Sequence, residues 1–358
     1  MLCESCKNIL YKRVAILLVV AAGGLAVAGV AASGQHERTA AAPAVAARPA
    51  GAPFHALASV LVRAQKERAA RAKVVRVRRA DPKPVVKPRA TISLYERTVD
   101  PLVYRRQGCA AARRGVGGVV ILDFGKPSWN GSSYGTILFS GRFAGNHAIT
   151  RALLGYARGY VVCSRGAAEH IELARGTSNY HPSVPSTYKA GRKWARETAA
   201  LQHLLAAHGY AAHVTAAAAD DVEPSWDRTW HRTRDFYRGY QDVSPGLYLY
   251  NFGSLDGGVF HGVWSAKQAF FVAGGMRYAR AIPEIYNNTM AREWAALSQV
   301  ALHRYHKGVQ FAGVMTEHTS ANHGMKPRDA HRLLARQLAV QTGGAADVPA
   351  TLTNITPG

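Results

Sequence analysis

Along the chain, short apolar runs closed by glycines or polar clusters alternate with longer stretches in which apolar residues recur every three or four positions. The first pattern is that of buried strands and the second that of amphipathic helices. GVGGVVILDFGKPSW at 115–129, HIELARGTSNYH at 170–181, AHVTAAAADDVEPSW at 212–226 and LYLYNFG at 247–253 read as strands, as do AFFVAGG at 269–275, RAIPEIYN at 280–287 and VQFAGVMTEH at 309–318. GTILFSG at 135–141 is a weaker candidate. Helical spacing predicts helices over 147–160 (Ile149, Leu153, Leu154), 185–208 (Trp194, Leu201, Leu204, Leu205), 226–240, 289–306 (Met290, Trp294, Leu297, Ala301) and 327–340.

About eight strands alternating with helices over some 230 residues predict an α/β domain with parallel pairing, of the (β/α)8 TIM-like barrel type. The barrel is expected to be irregular. Only a short link separates the runs ending at 275 and beginning at 280, so one helix must be missing or replaced. An open doubly wound sheet is the other arrangement this order allows. No G-x-G-x-x-G or Walker sequence opens a helix, so no nucleotide cofactor is expected.

Before this region the pattern changes. Residues 14–32, VAILLVVAAGGLAVAGVAA, form an uncharged run behind a short basic leader. Residues 1–34 are thus a signal peptide or an uncleaved membrane anchor, and the Ala/Gly content favours cleavage. Either reading predicts a secreted domain or one held on the outer face of the cytoplasmic membrane. Cys3 and Cys6 lack partners at zinc-site spacing and belong to that leader. Residues 35–114 read as an Ala/Pro-rich and basic linker with a short helix over 56–80, residues 115–342 as the barrel, and 343–358 as a flexible tail.

Charge reinforces this division. Residues 1–118 carry 21 Lys and Arg against 6 Asp and Glu, and the remaining chain 24 against 16, so most of the formal net +23 lies in the front third. The basic linker suits an anionic envelope surface, or serves as a solvated spacer. It has no interleaved aromatics for base stacking, and nucleic acid is not expected as a partner. In an oxidising compartment Cys109 and Cys163 are expected to form a disulfide.

Acids are scarce in the later region, which makes their positions informative. Strand alternation places Thr215, Ala217, Ala219, Asp221 and Glu223 on one face, with both carboxylates at the carboxyl end. Asp123, Glu284 and Glu317 also fall at predicted strand ends. Trp129, Tyr180, Trp226, Tyr250 and Tyr286 share those ends, with Arg175 and Asn251 as further polar contacts. Carboxylates beside flat aromatic faces are what a saccharide site needs, for proton transfer and for stacking on sugar rings. Glu317, His318 and His323 form only a weak metal pattern, and no metal is expected. No Gly-x-Ser-x-Gly elbow surrounds Ser164, Ser178 or Ser254, which argues against a serine hydrolase.

The segments ILDFGKPSWNG at 121–131, AAADDVEPSW at 217–226 and LYNFG at 249–253 resemble the glycoside hydrolase family 25 muramidases and the related glycoside-hydrolase-like domains of exported bacterial proteins. The resemblance implies a (β/α) barrel, with Glu223 as general acid, Asp221 as the neighbour that orients or stabilises the reacting centre, and Asp123 as a further substrate-facing carboxylate. It further implies cell-wall polysaccharide as partner. Phe124-Gly125-Lys126 departs from the family, which has a small residue and a hydroxyl after the leading Asp, and AIPEIY at 281–286 departs as well. A non-catalytic saccharide-binding or scaffolding barrel is the second function the sequence allows.

Overall fold

The computed structural model describes residues 89–164, 169–258, 263–318 and 324–358. The expectations for the leader, for Cys3 and Cys6, for the 56–80 helix and for His323 lie outside the described residues.

The chain enters through β1 (Arg89–Ala90) and β2 (Ser93–Tyr95) and turns into helix α1 (Pro101–Arg113). Asp100 starts that helix by accepting the Leu102 N–H, with Pro101 in the first turn where its missing donor costs nothing. Strand β3 (Gly118–Asp123) follows, then a three-stranded antiparallel excursion of β4 (Lys126–Trp129), β5 (Tyr134–Ile137) and β6 (Phe143–Gly145). Helix α2 (Asn146–Cys163), β7 (Ile171–Gly176), α3 (Thr187–Ala207), β8 (Val214–Asp220) and α4 (Trp230–Val243) continue the alternation. After β9 (Leu249–Asn251) come α5 (Ala266–Phe270) with a π turn over Phe271–Gly275, then β10 (Ala279–Ala281) and α6 (Asn288–Tyr305). Strand β11 (Val314–Thr316), α7 (Pro327–Thr342) and β12 (Thr351–Pro357) complete the order.

Strands β12, β2, β3, β7, β8, β9 and β10 pair in that order, all parallel, and β11 pairs with β12. The remaining seam, between β10 and β11, is joined by bridges at Ala281↔Phe311 and Glu284↔Met315. Across it the Ala312 N–H donates to the Ala281 carbonyl at 2.7 Å and the Met315 N–H to the Pro283 carbonyl at 2.9 Å. The result is a (β/α)8 barrel of eight strands, closed at the seam by bridges and not by a full ladder, and irregular in that four strands, β2, β9, β10 and β11, are only three residues long. The margins that an open sheet would leave at β10 and β11 are thereby bridged.

Alternation along the strands divides two cores. Val119, Ile121, Ala174, Ala217, Ala219, Tyr250, Phe252, Ile282, Met315 and Ile355 fill the barrel interior. The small residues of β7 and β8 leave the room that the rings of Tyr250 and Phe252 occupy. The opposite parity, including Val120, Leu122, Leu173, Ala216 and Ala218, packs against the helices. Helices α1 and α2 approach closely through glycine: a Cβ on Gly159 would stand 1.9 Å from the Arg105 carbonyl oxygen, and one on Gly108 2.0 Å from that of Tyr156. The expected Cys109–Cys163 disulfide joins these two helices, bridging 54 residues.

Four expectations are corrected by this architecture. GTILFSG is not a barrel strand, because its backbone pairs antiparallel with β4 and β6. AFFVAGG is helical, since Ser265 and Gln268 form a capping box that starts α5 and Phe270 stacks on Tyr305 at 5.1 Å. The helix expected to be missing is therefore this one. The supposed linker contains β1, β2 and α1, and the supposed tail contains β12, so the barrel extends beyond 115–342 at both ends.

Two outcomes follow from closure and from the staple. Deleting residues 351–358 exposes the edges of β2 and β11 together, and is expected to abolish cooperative thermal unfolding and near-UV circular dichroism. Replacing Cys109 and Cys163 by serine is expected to cost about 2–4 kcal/mol, read as a lower urea midpoint at unchanged slope.

Candidate functional site

The carboxyl ends of the parallel strands gather most of the acids singled out by the sequence. Asp123 ends β3 and is fully buried; one of its oxygens accepts the Gly125 N–H at 2.7 Å. Gly125 adopts φ of 84°, and a side chain there would strike the Ile137 carbonyl, so only glycine lets the chain turn back into the excursion so close to Asp123.

Strand β8 ends at Asp220 and delivers three acids with different surroundings. Ala217 and Ala219 point into the barrel as alternation predicts, and Asp221 continues that parity above them. Asp220 has the opposite parity. It is fully buried and accepts the Thr177 hydroxyl at 2.6 Å and the Trp226 indole N–H at 3.0 Å. Glu223 lies beyond the strand and is half-buried. Its Oε2 accepts the Asn179 amide at 2.7 Å, and its Oε1 faces the Ser254 N–H at 3.4 Å.

The neighbouring loop fits around these acids because Gly253 has no side chain. A Cβ there would lie 2.7 Å from the Val222 carbonyl oxygen and 2.9 Å from Asp221 Oδ1. The Gly253 carbonyl in turn accepts the Glu284 N–H at 3.4 Å, which draws the β10 acid alongside.

These carboxyl groups act on one another. Asp221 is pushed well above the usual carboxylate range, first by burial, then by Glu223, Glu284, Asp123 and Asp220. Glu284 is raised well above its ordinary value by burial and by Glu223, with Glu317 and Asp256 adding to it and the Tyr286 hydroxyl opposing. Glu223 is raised by burial and Asp256, against the stabilising bonds from Ser254 and Asn179. Burial raises Asp123 to about 7, as it does Glu96, the residue following β2. Among the described ion pairs none involves Asp123, Asp221, Glu223 or Glu284. Burial and mutual repulsion both favour the protonated forms, so these carboxyls hold their protons above the ordinary carboxylate range.

Two tyrosines complete the cluster. Tyr95 sits beside Asp123 in register, and its hydroxyl is held protonated by burial and by Glu284, Asp221, Glu317 and Asp123. Tyr286 is likewise raised by burial and by Glu284. Both are therefore hydrogen-bond donors among acceptors.

Other candidate residues are placed elsewhere. Arg175 does not face the mouth: it has outward parity on β7, is fully buried, and stacks on Trp194 at 3.9 Å while donating to Asn146 and Thr150. Trp226 is fully buried against Phe236, with its indole bound to Asp220, so it offers no face to a sugar. Tyr250 is buried in the barrel interior, and its hydroxyl donates to Glu172 towards the amino end. The substrate-contact expectation for these three is corrected by their direction. Asn251 is also buried, with its carbonyl oxygen accepting the Gly253 N–H at 2.9 Å, and it shapes the acid-bearing loop.

Trp129 is half-buried on the excursion, packed on Tyr134 at 4.7 Å, and its backbone N–H donates to the Ser183 carbonyl of the loop after β7. Tyr180, on that loop beside Asn179, is 42 % exposed. These are the expected aromatic contacts left open to a ligand. His318 Nδ1 is engaged with the Gly324 carbonyl, and among the described residues no group of ligating side chains could hold a metal ion.

Sequence reasoning missed Tyr95 and Glu96 because SLYE stands in a stretch whose charge and prolines resemble a linker. It also passed over Asn179 and Asp256, and weighed Ser254 only as a nucleophile. Their signal was position alone, three to five residues beyond a strand.

No protein-family model matches the chain, and no curated protein matches it. The chain is similar to several solved structures. One is a Rubisco-like protein from Rhodopseudomonas palustris (TM-score 0.40, 9 % identity, covering 76 % of this chain and 60 % of that one). Another is the endoglucanase Cel5A of Pseudomonas stutzeri in complex with cellobiose (0.36, 12 %, 71 % and 74 %). A third is the endo-1,4-beta-mannanase of Rhizomucor miehei (0.35, 8 %, 75 % and 85 %). At these scores the likenesses carry no argument about chemistry, and the barrel rests on its own strand pairing.

The buried carboxyls generate a pH dependence. An unfolded chain releases these protons near pH 4, whereas folded Asp123 and Glu96 hold theirs to about 7. Folding therefore takes up protons in that window. The stabilisation is complete below it and is lost as pH rises through about 7. Tm at pH 8 is expected to lie at least ~4 °C below Tm at pH 5, and Asp123→Asn should narrow the gap. An unchanged gap in the variant would show that Asp123 does not titrate there.

Proposed function

We propose that the carboxyl mouth of the barrel is a saccharide-processing site in which Glu223 acts as general acid. The observation that carries the reading is the proton-holding group of Glu223, Asp221, Glu284 and Asp123 at the strand ends, together with Glu223 being half-buried and held by Asn179.

Glycosidic cleavage needs a proton on the departing oxygen and negative charge beside the cationic carbon it leaves. Burial and Asp256 keep a proton on Glu223 to higher pH than a solvated glutamate would. Asn179 fixes one carboxyl oxygen and leaves the other towards Ser254 and the mouth. Asp221, just above the barrel interior, is the residue to steady the cation or an attacking N-acetyl group, and Asp123 and Glu284 extend the negative wall. Tyr95 and Tyr286 supply donors, and Trp129 and Tyr180 offer apolar faces at the rim.

The resemblance to family 25 muramidases and the apolar leader support an exported enzyme acting on peptidoglycan or another amino-sugar polymer. The second reading, a saccharide-binding barrel without turnover, draws on Asp221 and Glu284 being so deeply buried.

Purified cell wall and soluble amino-sugar oligomers are the substrates for the test, read as release of reducing ends. The wild type is expected to release them with a rate that falls as pH rises, and Glu223→Gln to lose at least ~100-fold. Equal release by both proteins would remove Glu223 from the mechanism. Retained polymer binding with no release by either would favour the binding barrel.

A further inference from the structure

Helices α1 and α2, stapled by the disulfide, present one outward face whose chemistry differs from the rest of the barrel. On α1, Leu102, Arg105, Arg106 and Arg113 are exposed, opposite the buried Tyr104, Gly108 and Ala111. On α2, His147, Arg151, Arg158 and Val162 are exposed at spacings that keep them on one side of the helix. The two stripes lie side by side: Cβ atoms on Gly155 and Gly159 would meet the Pro101 and Arg105 carbonyl oxygens, and Cys109 is bonded to Cys163.

Neither helix contains a carboxylate. By contrast α3, α4, α6 and α7 interrupt their basic residues with Glu197, Asp235, Glu293 and Asp329. Asp100, at the start of α1, is committed to its cap. Among the described ion pairs none neutralises Arg105, Arg106, Arg151 or Arg158. Large apolar side chains stand exposed among the arginines, Leu102 at 62 % and Val162 at 59 %.

We infer that this α1–α2 face docks the barrel on an anionic phospholipid surface. Arginines bind the headgroup phosphates, and Leu102 and Val162 reach the apolar boundary below them. The absence of exposed aromatics on the face disfavours a single-stranded nucleic acid, which would need stacking platforms. Among the described residues no helix is long and apolar enough to cross a membrane. The inference is independent of the catalytic reading.

The test uses the full chain and sedimentation with vesicles of phosphatidylcholine alone or with one-quarter phosphatidylglycerol. R105Q/R106Q/R151Q/R158Q is compared with R292Q/R304Q/R328Q/R336Q, which removes the same charge from exposed positions of α6 and α7. Circular dichroism first establishes that both variants are folded. The α1–α2 variant is expected to lose at least ~30-fold in affinity for anionic vesicles, the control less than ~3-fold, and L102S/V162S to lose affinity with all charges kept. Equal losses in the two charge variants, or none in either, would overturn the inference. So would retention on immobilised polyphosphate that depends on the four arginines while L102S/V162S binds vesicles normally, because the partner would then be a soluble polyanion.

Discussion

The structure depends on β12 lying between β2 and β11. Both strands are three residues long, too short to be stable alone or as edges. The pairing of β12 with each turns a sheet with two open margins into a ring, and the Ser93 and Thr353 hydroxyls meet at 2.8 Å inside it. Only in a ring do Asp123, Asp221 and Glu284, from strands far apart in sequence, approach closely enough to raise one another's proton affinity. The acid cluster is thus a product of closure.

That cluster is unfavourable in itself. Buried carboxyls without a cationic partner destabilise the folded state once ionised, and the barrel opposes this with its two apolar cores and with donors such as Asn179, Thr177 and Tyr95. A strand-end site therefore stands where the fold is least content with its charges. Clustered carboxyls with raised proton affinity are the pattern on which the proposed acid role of Glu223 rests.

Much of this was legible in the sequence, and for physical reasons. The parity of β8 could be read directly, since alanines at 217 and 219 followed by Asp221 leave one face that is small and then acidic. The long helices announced themselves through periodicity. What could not be read were elements whose identity is set by partners. SLY at 93–95 and TLTNITP at 351–357 are strands because they pair with each other across the chain, and neither carries a strong apolar run. AFFVAGG has strand-forming residues, yet the Ser265–Gln268 capping box and burial against α6 make it helical. Trp226, Tyr250 and Arg175 were placed in the mouth from proximity along the chain. One residue of parity, or a hydroxyl pointing down instead of up, sent each elsewhere.

The hydroxyl pair Ser93–Thr353 spans 260 residues of sequence, and its consequence concerns time. Drawing together ends so distant costs about 5 kcal/mol in chain entropy beyond a constant, from the logarithmic dependence on loop length. A chain emerging from its amino end can form helices and pair its central strands, but it cannot seal the cylinder until residue 357 is free. Until that moment the sheet stays open between β2 and β11. Sealing of the barrel therefore waits on residues 351–357, which β2 and β11 both need as their neighbour.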